Sequence, residues 1–296
     1  MDIAGRMAVV TGGASGIGRA LCLALATRGA AGVVVADLDE QGAREVAKAA
    51  AALGTRATAV AADMASEADV QALVSRAEAE FGRIDLFCSN AGIIVGGGIE
   101  VPDDAWARIW AINVQSHVYV ARAVLPGMLA RGDGHLIITA SAAGLLTQLG
   151  SAPYAVTKHA AVALAEWLSI TYGAAGIGVS CLCPQAVTTN LGVTSQRAMS
   201  GAPVPAPTPV ADGAPAAGLG PGPAGESGAT VSRQAAVDGV LTAEQVADCV
   251  LDALAAGRFL ILPHPEVAIY ERRRADDRER WLSGMRRMQA RITGNG

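Results

Sequence analysis

The sequence predicts an α/β protein built on a doubly wound, seven-stranded parallel sheet with helices on both faces. Seven short runs rich in Val, Ile and Leu alternate with Ala-rich segments such as GRALCLALATRG and DVQALVSRAEAEFG. The runs are apolar almost without interruption, as expected for strands that are buried on both faces of a parallel sheet. The segments between them are long enough for the crossover helices that parallel strands require, so we expect helices on each side.

Each strand is justified by its own short apolar run. In chain order the predicted strands are MAVVTG from residue 7, GVVVAD from 32, ATAVAAD from 57, IDLFCSN from 84, HLIITAS from 135, VSCLCP from 179 and FLILP from 259. Their alternation with helical segments predicts a single domain over residues 1–265.

Two segments depart from this alternation. Residues 199–231 are rich in Pro, Ala and Gly and cannot form a core, so we expect a flexible surface insertion; a lid that orders over a bound substrate is the alternative. Residues 266–296 form a C-terminal extension in which Trp281, Met285 and Met288 recur at helical spacing among charges. This pattern predicts an amphipathic helix docked on the domain or on a neighbouring subunit, or else a solvated charged helix.

Composition and charge exclude several classes of protein. Of the 296 residues, 51% are hydrophobic and 17% are charged, which supports a large core and excludes a mostly disordered chain. The net charge of −4 and the pI near 5.6 disfavour nucleic acid or an anionic membrane as a partner. The N-terminal MDIAGRMAVVTGG lacks a signal-peptide pattern, and no run of about 18 apolar residues occurs, so we expect a soluble, cytoplasmic protein.

The cysteines predict neither disulfides nor a metal site. The five are scattered along the chain, unlike a disulfide framework. Cys181 and Cys183 are separated by one residue instead of the two of a zinc knuckle, and no histidine lies near them in the sequence. We therefore expect reduced, buried thiols and no bound metal.

A glycine-rich loop follows the first predicted strand and opens a helix. In TGGASGIGRA, Gly12, Gly16 and Gly18 allow a tight turn and a close backbone approach, so that N–H groups at the helix N-terminus can face a pyrophosphate. The spacing G-x-x-x-G-x-G differs from the general dinucleotide fingerprint, but its place between a strand and a helix supports the same interpretation.

An aspartate ends the next strand. Asp37 lies 19 residues after Gly18, and a carboxylate there can accept hydrogen bonds from both hydroxyls of an adenosine ribose while it repels a 2′-phosphate. Neither Ser15 nor Leu38 is basic, so an obvious phosphate clamp is missing and NAD is favoured over NADP. An ordinary turn residue is the alternative for Asp37.

Two further strand ends lead to the same edge of the sheet. Asp63 ends the third predicted strand, where it could meet an adenine, and SNAG, residues 89–92, ends the fourth with a compact turn. Each is a common turn element by itself. Together they line the carboxyl edge, where ligands bind in open α/β folds.

Tyr154 and Lys158, in SAPYAVTKHA, are one helical turn apart and share a face. A nearby ammonium lowers a tyrosine pKa, which suits a group that passes a proton to or from a substrate oxygen; a surface pair is the alternative. Ser141 ends the fifth strand 13 residues before Tyr154 and could orient a carbonyl or alkoxide at the same edge. Asn113, in WARIWAINVQS, could hold a water that connects the lysine to solvent, or it is a capping or solvent-facing residue.

Together these residues resemble the short-chain dehydrogenase/reductase family in its single-domain form. The resemblance covers residues 5 to about 192 and resumes around LTAEQVADCVLDAL. It implies a Rossmann-like sheet, a nicotinamide cofactor and hydride transfer between the substrate carbon and nicotinamide C4. The matching features are TGGASGIG for the TGxxxGxG motif, Tyr154 and Lys158 for YxxxK, and Asp37, Asp63, SNAG, Asn113 and Ser141 in their family order.

The resemblance also implies roles for these residues. Tyr154 becomes the general acid/base, Lys158 lowers its pKa and binds the nicotinamide ribose, Ser141 positions the substrate oxygen, and Asn113 positions a proton-relay water. The implied cofactor contacts are Gly12, Ser15, Gly16, Ile17, Gly18, Asp37, Leu38, Asp63, Met64, Asn90, Ala91, Gly92, Tyr154, Lys158, Pro184, Val187 and Thr189. Gln185 stands where the family usually has a glycine after Pro184, so the backbone there is less permissive and the pocket is reshaped.

The substrate pocket is expected where the loops after the fourth, fifth and sixth strands meet. Its predicted residues are Ile94, Val95, Leu145, Leu149, Ala186 and Leu191, several of which could instead belong to the core. This wall is mostly apolar and carries no fixed cation. We therefore expect a hydrophobic secondary alcohol or ketone as the substrate.

Three functional interpretations remain open. An NAD-dependent alcohol dehydrogenase is favoured by Asp37 and by the four catalytic candidates. A biosynthetic ketoreductase that uses NADPH is the second, and a non-catalytic dinucleotide-binding sensor or scaffold is the third. The resemblance also implies a homotetramer or homodimer formed through the helices of Asn113 and Tyr154, and the small and apolar residues of AVTKHAAVALAEWL are compatible with this.

Overall fold

A seven-stranded, all-parallel sheet forms the centre of the computed structural model, which describes residues 1–200 and 238–293. The strand order is β3-β2-β1-β4-β5-β6-β7. The strands are β1 Met7–Thr11, β2 Gly32–Asp37, β3 Arg56–Ala61, β4 Leu86–Ser89, β5 Gly134–Thr139, β6 Ile177–Leu182 and β7 Leu260–Ile261. Each of the predicted strands is present, and the predicted doubly wound fold is confirmed.

Helices connect the strands and flank the sheet. They are α1 Gly16–Thr27, α2 Glu40–Ala52, α3 Glu67–Phe81, α4 Asp103–Trp110, α5 Ser116–Arg131, α6 Ala143–Leu146, α7 Ala152–Tyr172, α8 Leu191–Ser200, α9 Ala243–Ala255, α10 Glu266–Asp276 and α11 Arg278–Ile292. A π-helical turn, Ala111–Gln115, joins α4 to α5, and a 3-10 turn, Gly173–Ala175, follows α7.

Both faces of the sheet are buried, as the unbroken apolar runs predict. Val9 and Phe87 lie in a core cluster with residues of α3, α5 and α7. Their neighbours Val10 and Cys88 point the other way and lie in a second cluster with residues of α1, α2 and α9. Because successive side chains of a strand alternate between faces, helices on both sides are needed to cover these strands.

The order of the strands reverses between β1 and β4. The chain runs outward from β1 to β3 on one side and from β4 to β7 on the other, while β1 and β4 pair directly through Val10 and Cys88. A crevice opens at such a switch point, beyond the carboxyl ends of the two strands. The fold therefore places a ligand site where Thr11 and Ser89 end their strands.

The C-terminal extension consists of two helices, so the prediction of a single amphipathic helix is wrong. Asp277 interrupts the helix with φ −146° and ψ 89°, and its side chain accepts a hydrogen bond from Arg280 N that caps α11. Val267 in α10 is fully buried in the core, which docks this helix on the domain. Trp281, Met285 and Met288 in α11 are half-buried.

The predicted insertion at 199–231 lies outside the described residues, apart from the first two, which end α8. The five cysteines are free thiols, and four of them are buried. In the part of the chain that the structure describes, no helix has the length and apolar character that crossing a bilayer would require.

Candidate active site

A cavity of about 470 Å³ lies at the carboxyl edge of the sheet, around the switch point between β1 and β4. This volume is typical of small-molecule and cofactor sites. Of the residues predicted from the sequence to form the site, those that line the cavity are Gly12, Ser15, Gly16, Ile17, Asp37, Leu38, Asp63, Met64, Asn90, Ala91, Gly92, Ser141, Tyr154, Lys158, Pro184, Val187, Thr189 and Leu191. The fold thus brings together residues from six separate loops.

The glycine loop forms the floor at one end of the cavity. Gly12 has φ +64°, a left-handed conformation that favours glycine, and a Cβ added at Gly18 would lie 2.1 Å from the carbonyl oxygen of Gly12. Gly18 therefore packs beneath the loop instead of lining the cavity. The side chain of Ser15, the residue that precedes α1, makes no capping hydrogen bond, so the first N–H groups of α1 remain available to an anion.

Asp37 stands where β2 ends, beside this loop. Its carboxylate accepts hydrogen bonds from Ala14 N and Asp39 N, each at 3.0 Å, which ties the glycine loop to the end of β2. Burial raises the pKa of Asp37, and the backbone N–H bonds oppose that shift. Asp39 also lines the cavity, so two carboxylates bound this end.

The SNAG turn is held against the end of β1. The hydroxyl of Thr11 accepts hydrogen bonds from Asn90 N at 2.9 Å and Ala91 N at 3.1 Å, and the Asn90 amide donates to Thr11 O at 3.0 Å. These bonds fix the turn across the switch point. Its backbone consequently forms one wall of the cavity.

The groups that can do proton chemistry lie at the opposite end of the cavity from Asp37. Tyr154 is in the first turn of α7, and it lines the cavity together with Ser141, which follows β5. The ammonium of Lys158 lies 5.7 Å from the centre of the Tyr154 ring and donates a hydrogen bond to Thr139 O at 2.8 Å. A hydroxyl pair and a buried amine therefore meet at one point of the cavity wall.

The predicted lowering of the Tyr154 pKa by Lys158 is wrong for this structure. Burial raises the pKa of Tyr154, and the nearby Ser141 side chain opposes that shift. Burial also lowers the pKa of Lys158 to about 8, which weakens the positive charge beside the ring. The sequence shows that the two residues share a helical face, but it does not show how deeply both are buried.

Asn113 holds the backbone that follows the SNAG turn. It is fully buried in the π-helical turn, where its amide oxygen accepts from Ile93 N and its amide nitrogen donates to Ile93 O, both at 2.8 Å. The nitrogen also donates to Thr157 Oγ1 at 3.2 Å. Both amide hydrogens are used, so only a lone pair on the amide oxygen remains for the water that the sequence predicts there.

Arg108 is a site residue that the sequence analysis missed, and it corrects the expectation that the wall carries no fixed cation. It lines the cavity, donates to Asp63 Oδ2 at 3.1 Å and to the carbonyl oxygen of Ala198 at 3.3 Å, and so links the end of β3 to α8. Arg108 lies one helical turn before Ile112, which also lines the cavity, but this relationship is visible only in the folded chain.

Leu191 is the single member of the predicted substrate pocket that lines this cavity. Leu145 is buried in the main hydrophobic core, and Ala186 accepts a backbone hydrogen bond from Leu241. Ile94 and Val95 pack against the small cluster that contains Tyr154, and Leu149 is half-buried outside the cavity. The sequence fixes which loops approach the site but leaves the direction of these side chains undetermined.

A dinucleotide fits the donor set of this cavity. The free N–H groups of α1 suit a pyrophosphate, the Asp37 carboxylate suits ribose hydroxyls, and Tyr154 and Lys158 lie at the far end. The residues therefore provide separate places for the two halves of the cofactor.

Comparisons with known proteins show the family of the chain. A family model described as short chain dehydrogenase matches residues 6–200. The chain is 36% identical to 1-deoxy-11-beta-hydroxypentalenate dehydrogenase of Streptomyces exfoliatus, over 96% of this chain and 92% of that protein. It is 35% identical to 3beta-hydroxysteroid dehydrogenase 2 of Eggerthella lenta, over 67% of this chain and 78% of that protein.

A solved structure shows the same fold. It is a short chain dehydrogenase/reductase from Burkholderia phymatum in complex with NAD, with a TM-score of 0.79 and 31% identity, covering 94% of this chain and 96% of that one. With the family model spanning well over half of the residues, the chain belongs to the short-chain dehydrogenase/reductase family of oxidoreductases.

Proposed function

We propose that this protein is an NAD-dependent oxidoreductase that interconverts a hydrophobic secondary alcohol and its ketone. One observation carries the proposal: the side chains of Tyr154 and Ser141, with the Lys158 amine 5.7 Å from the centre of the Tyr154 ring, line the same cavity as Asp37. The bound nicotinamide supplies the carbon that exchanges a hydride with the substrate carbon.

Tyr154 and Ser141 are the residues that would handle the substrate oxygen. An oxygen placed between the two hydroxyls would be oriented by Ser141, while Tyr154 donates a proton to it during reduction or accepts one during oxidation. Burial raises the pKa of Tyr154 and so favours the protonated phenol, the form that reduction needs. Lys158, held by its hydrogen bond to Thr139 O, lies 5.7 Å from the centre of the Tyr154 ring.

The choice of NAD over NADP rests on the charge at the adenosine end. Asp37 and Asp39 both line the cavity there, and a 2′-phosphate would meet both carboxylates. Arg108, which lines the cavity, is paired with Asp63 and donates to Ala198 O. The arrangement supports a free 2′-hydroxyl in preference to a phosphate.

A hydrophobic alcohol is supported by the lining of the cavity and by the relatives. Leu191, Val193 and Ile93 contribute apolar surface near the catalytic end. Two relatives are named as dehydrogenases of a hydroxypentalenate and of a hydroxysteroid. Secondary alcohols on apolar ring systems are therefore the first substrates to test.

The cofactor assignment is tested by the rates of alcohol oxidation at 340 nm with NAD and with NADP. We expect kcat/KM to favour NAD by about a hundredfold, since like-charge contact costs several kcal/mol. Asp37→Ala should lower this ratio while Asp39 keeps part of the preference, whereas Asp248→Ala on the exposed face of α9 should leave it unchanged. Faster turnover with NADP would favour a biosynthetic ketoreductase, and cofactor binding without turnover of any alcohol would favour a sensor.

We further propose that two or four copies associate through α5 and α7. On α7, Ile170 is 83% exposed and Trp167 is 55% exposed, which leaves large apolar side chains in water in a single chain. An interface between copies would cover them. Sedimentation that shows only monomer at working concentration would contradict this assembly.

A further inference from the structure

Helix α8 forms one wall of the cavity, yet little of its own surface is buried. The residues of α8 that line the cavity are Leu191, Val193, Thr194 and Ala198. Among the α8 side chains that the structure describes, Ser195 alone is buried, while Val193 is 41% exposed and Met199 is 37% exposed. Most helices in globular proteins dock through a buried apolar face, so a different kind of contact must hold α8 in place.

The first such contact is a hydrogen bond made by Ser195. This side chain is 2% exposed, and its hydroxyl accepts from Ile94 N at 2.9 Å while it donates to Leu191 O at 2.5 Å. Ile94 follows the SNAG turn, whose backbone forms another wall of the cavity. The hydroxyl of Ser195 therefore joins α8 to the segment that follows β4.

The second contact is made by Arg108 at the other end of α8. Its Nε donates to Ala198 O at 3.3 Å, and its Nη1 donates to Asp63 Oδ2 at 3.1 Å. Ala198 lies in the last turn of α8, where carbonyl oxygens lack a partner within the helix and a cation is favoured. The guanidinium, held by the Asp63 carboxylate, therefore joins the end of α8 to the end of β3.

Helix α8 extends along the length of the cavity that a dinucleotide would occupy. Thr189, just before α8, lies close to the glycine loop, since a Cβ added at Gly16 would be 3.2 Å from Thr189 Cγ2. Ala198, near the other end, packs against the small apolar cluster that contains Tyr154. A dinucleotide that reaches from the glycine loop to Tyr154 would therefore lie along α8.

We propose that α8 is a movable wall that retains the bound dinucleotide, and that Arg108 is the positioning residue that holds this wall closed. The inference rests on the proposed function, since it takes NADH to be the molecule that is retained. Contacts of this polar kind break and form again without exposing a hydrophobic core, which suits the entry and release of a cofactor.

The test measures the rate of NADH dissociation by stopped-flow fluorescence, with excess NAD as the displacing ligand. We expect Arg108→Gln to release NADH about tenfold faster than wild type, because the variant loses the charged donor to Ala198 O. The control is Arg76→Gln, since Arg76 is paired with Glu80 on the exposed surface of α3, and it should release NADH at the wild-type rate. Release at the wild-type rate in Arg108→Gln would overturn the inference.

A second variant separates the position of α8 from a local effect at Asp63. Ser195→Ala removes the hydrogen bond to Ile94 N and leaves the pair between Arg108 and Asp63 in place. We expect this variant also to release NADH faster than wild type, by about threefold or more. If Arg108→Gln releases NADH faster while Ser195→Ala does not, the inference is overturned, because the effect then belongs to Asp63.

Hydrogen exchange of the α8 backbone amides, measured without cofactor, gives a readout that does not depend on the proposed function. We expect residues 191–198 to exchange faster in both variants than in wild type, with the exchange of β4 and β5 unchanged. Equal exchange of α8 in all three proteins would overturn the inference even if wild type oxidises alcohols with NAD. Faster exchange in both variants of a protein that binds no NADH would uphold a wall held by Arg108 and contradict the proposed oxidoreductase.

Discussion

The Lys158 ammonium donates a hydrogen bond to the carbonyl oxygen of Thr139 at 2.8 Å, and Lys158 is only 3% exposed. This bond ties α7 to the end of β5, the strand that precedes Ser141. The hydrogen bond thus holds the helix of Tyr154 against the sheet. Burying the charged amine opposes folding, because the ammonium loses its contact with water.

The buried lysine predicts a pH dependence of stability. Its pKa is lowered from 10.5 to about 8 in the folded chain, so between these values the unfolded chain binds a proton that the folded chain does not. Stability from this group therefore rises with pH across that window, by roughly 3 kcal/mol in total. We expect the free energy of unfolding of wild type, measured in urea, to rise relative to that of Lys158→Met between pH 8 and pH 10. If the difference between the two proteins is flat or falls with pH, the burial of a charged amine is contradicted.

The close packing of Gly18 against Gly12 predicts that no side chain can be accommodated at position 18. A Cβ at this position would lie 2.1 Å from Gly12 O, so Gly18→Ala must displace the loop or α1. We expect a loss of stability of about 1–3 kcal/mol and weaker NADH binding, measured by urea unfolding and by fluorescence titration. The control is Gly173→Ala, because Gly173 has helical φ −59° and nothing within 4 Å of an added Cβ. Equal effects of the two substitutions would rule out the close contact.

The hydrogen bonds of the Asn113 amide predict that its removal lowers the free energy of unfolding. Asn113→Ala would leave the N–H and the carbonyl of Ile93 without their partners in a buried place. We expect a loss of roughly 2–5 kcal/mol in the free energy of unfolding, since each unsatisfied buried group costs about 1–3 kcal/mol. Gln71→Ala, on the exposed face of α3, should change it by less than about 0.5 kcal/mol. If Asn113→Ala has the same free energy of unfolding as wild type, the two hydrogen bonds between Asn113 and the Ile93 backbone contribute little to stability.

The fold was predictable because its determinants are local. The runs MAVVT and GVVVAD are strands that are buried on both faces, and the glycine loop between the first strand and α1 packs directly over Gly18. Asp37, Ser141, Tyr154 and Lys158 could be placed at one edge because parallel strands and the turns that follow them end on the same side of a sheet.

The side-chain directions, long-range contacts and pKa shifts at the site could not be predicted, because they depend on contacts between distant segments of the chain. The direction of Leu145, into the core and away from the cavity, is decided by packing that a sequence pattern does not encode. Arg108 reaches Asp63 from α4, and the His264 imidazole reaches Gln185 from beyond β7, so these relationships appear only once the chain is folded. The raised pKa of Tyr154 has the same origin, because depth of burial is a property of the whole fold.

The most direct test of the central claim is the rate of NADH formation from cyclic secondary alcohols by wild type and by Tyr154→Phe. We expect turnover with NAD in wild type and a loss of about 100-fold to 10,000-fold in kcat for the variant, with NADH binding retained, because only the proton-transferring hydroxyl has been removed. A variant that turns over at the wild-type rate would contradict the assignment of Tyr154 as the general acid/base.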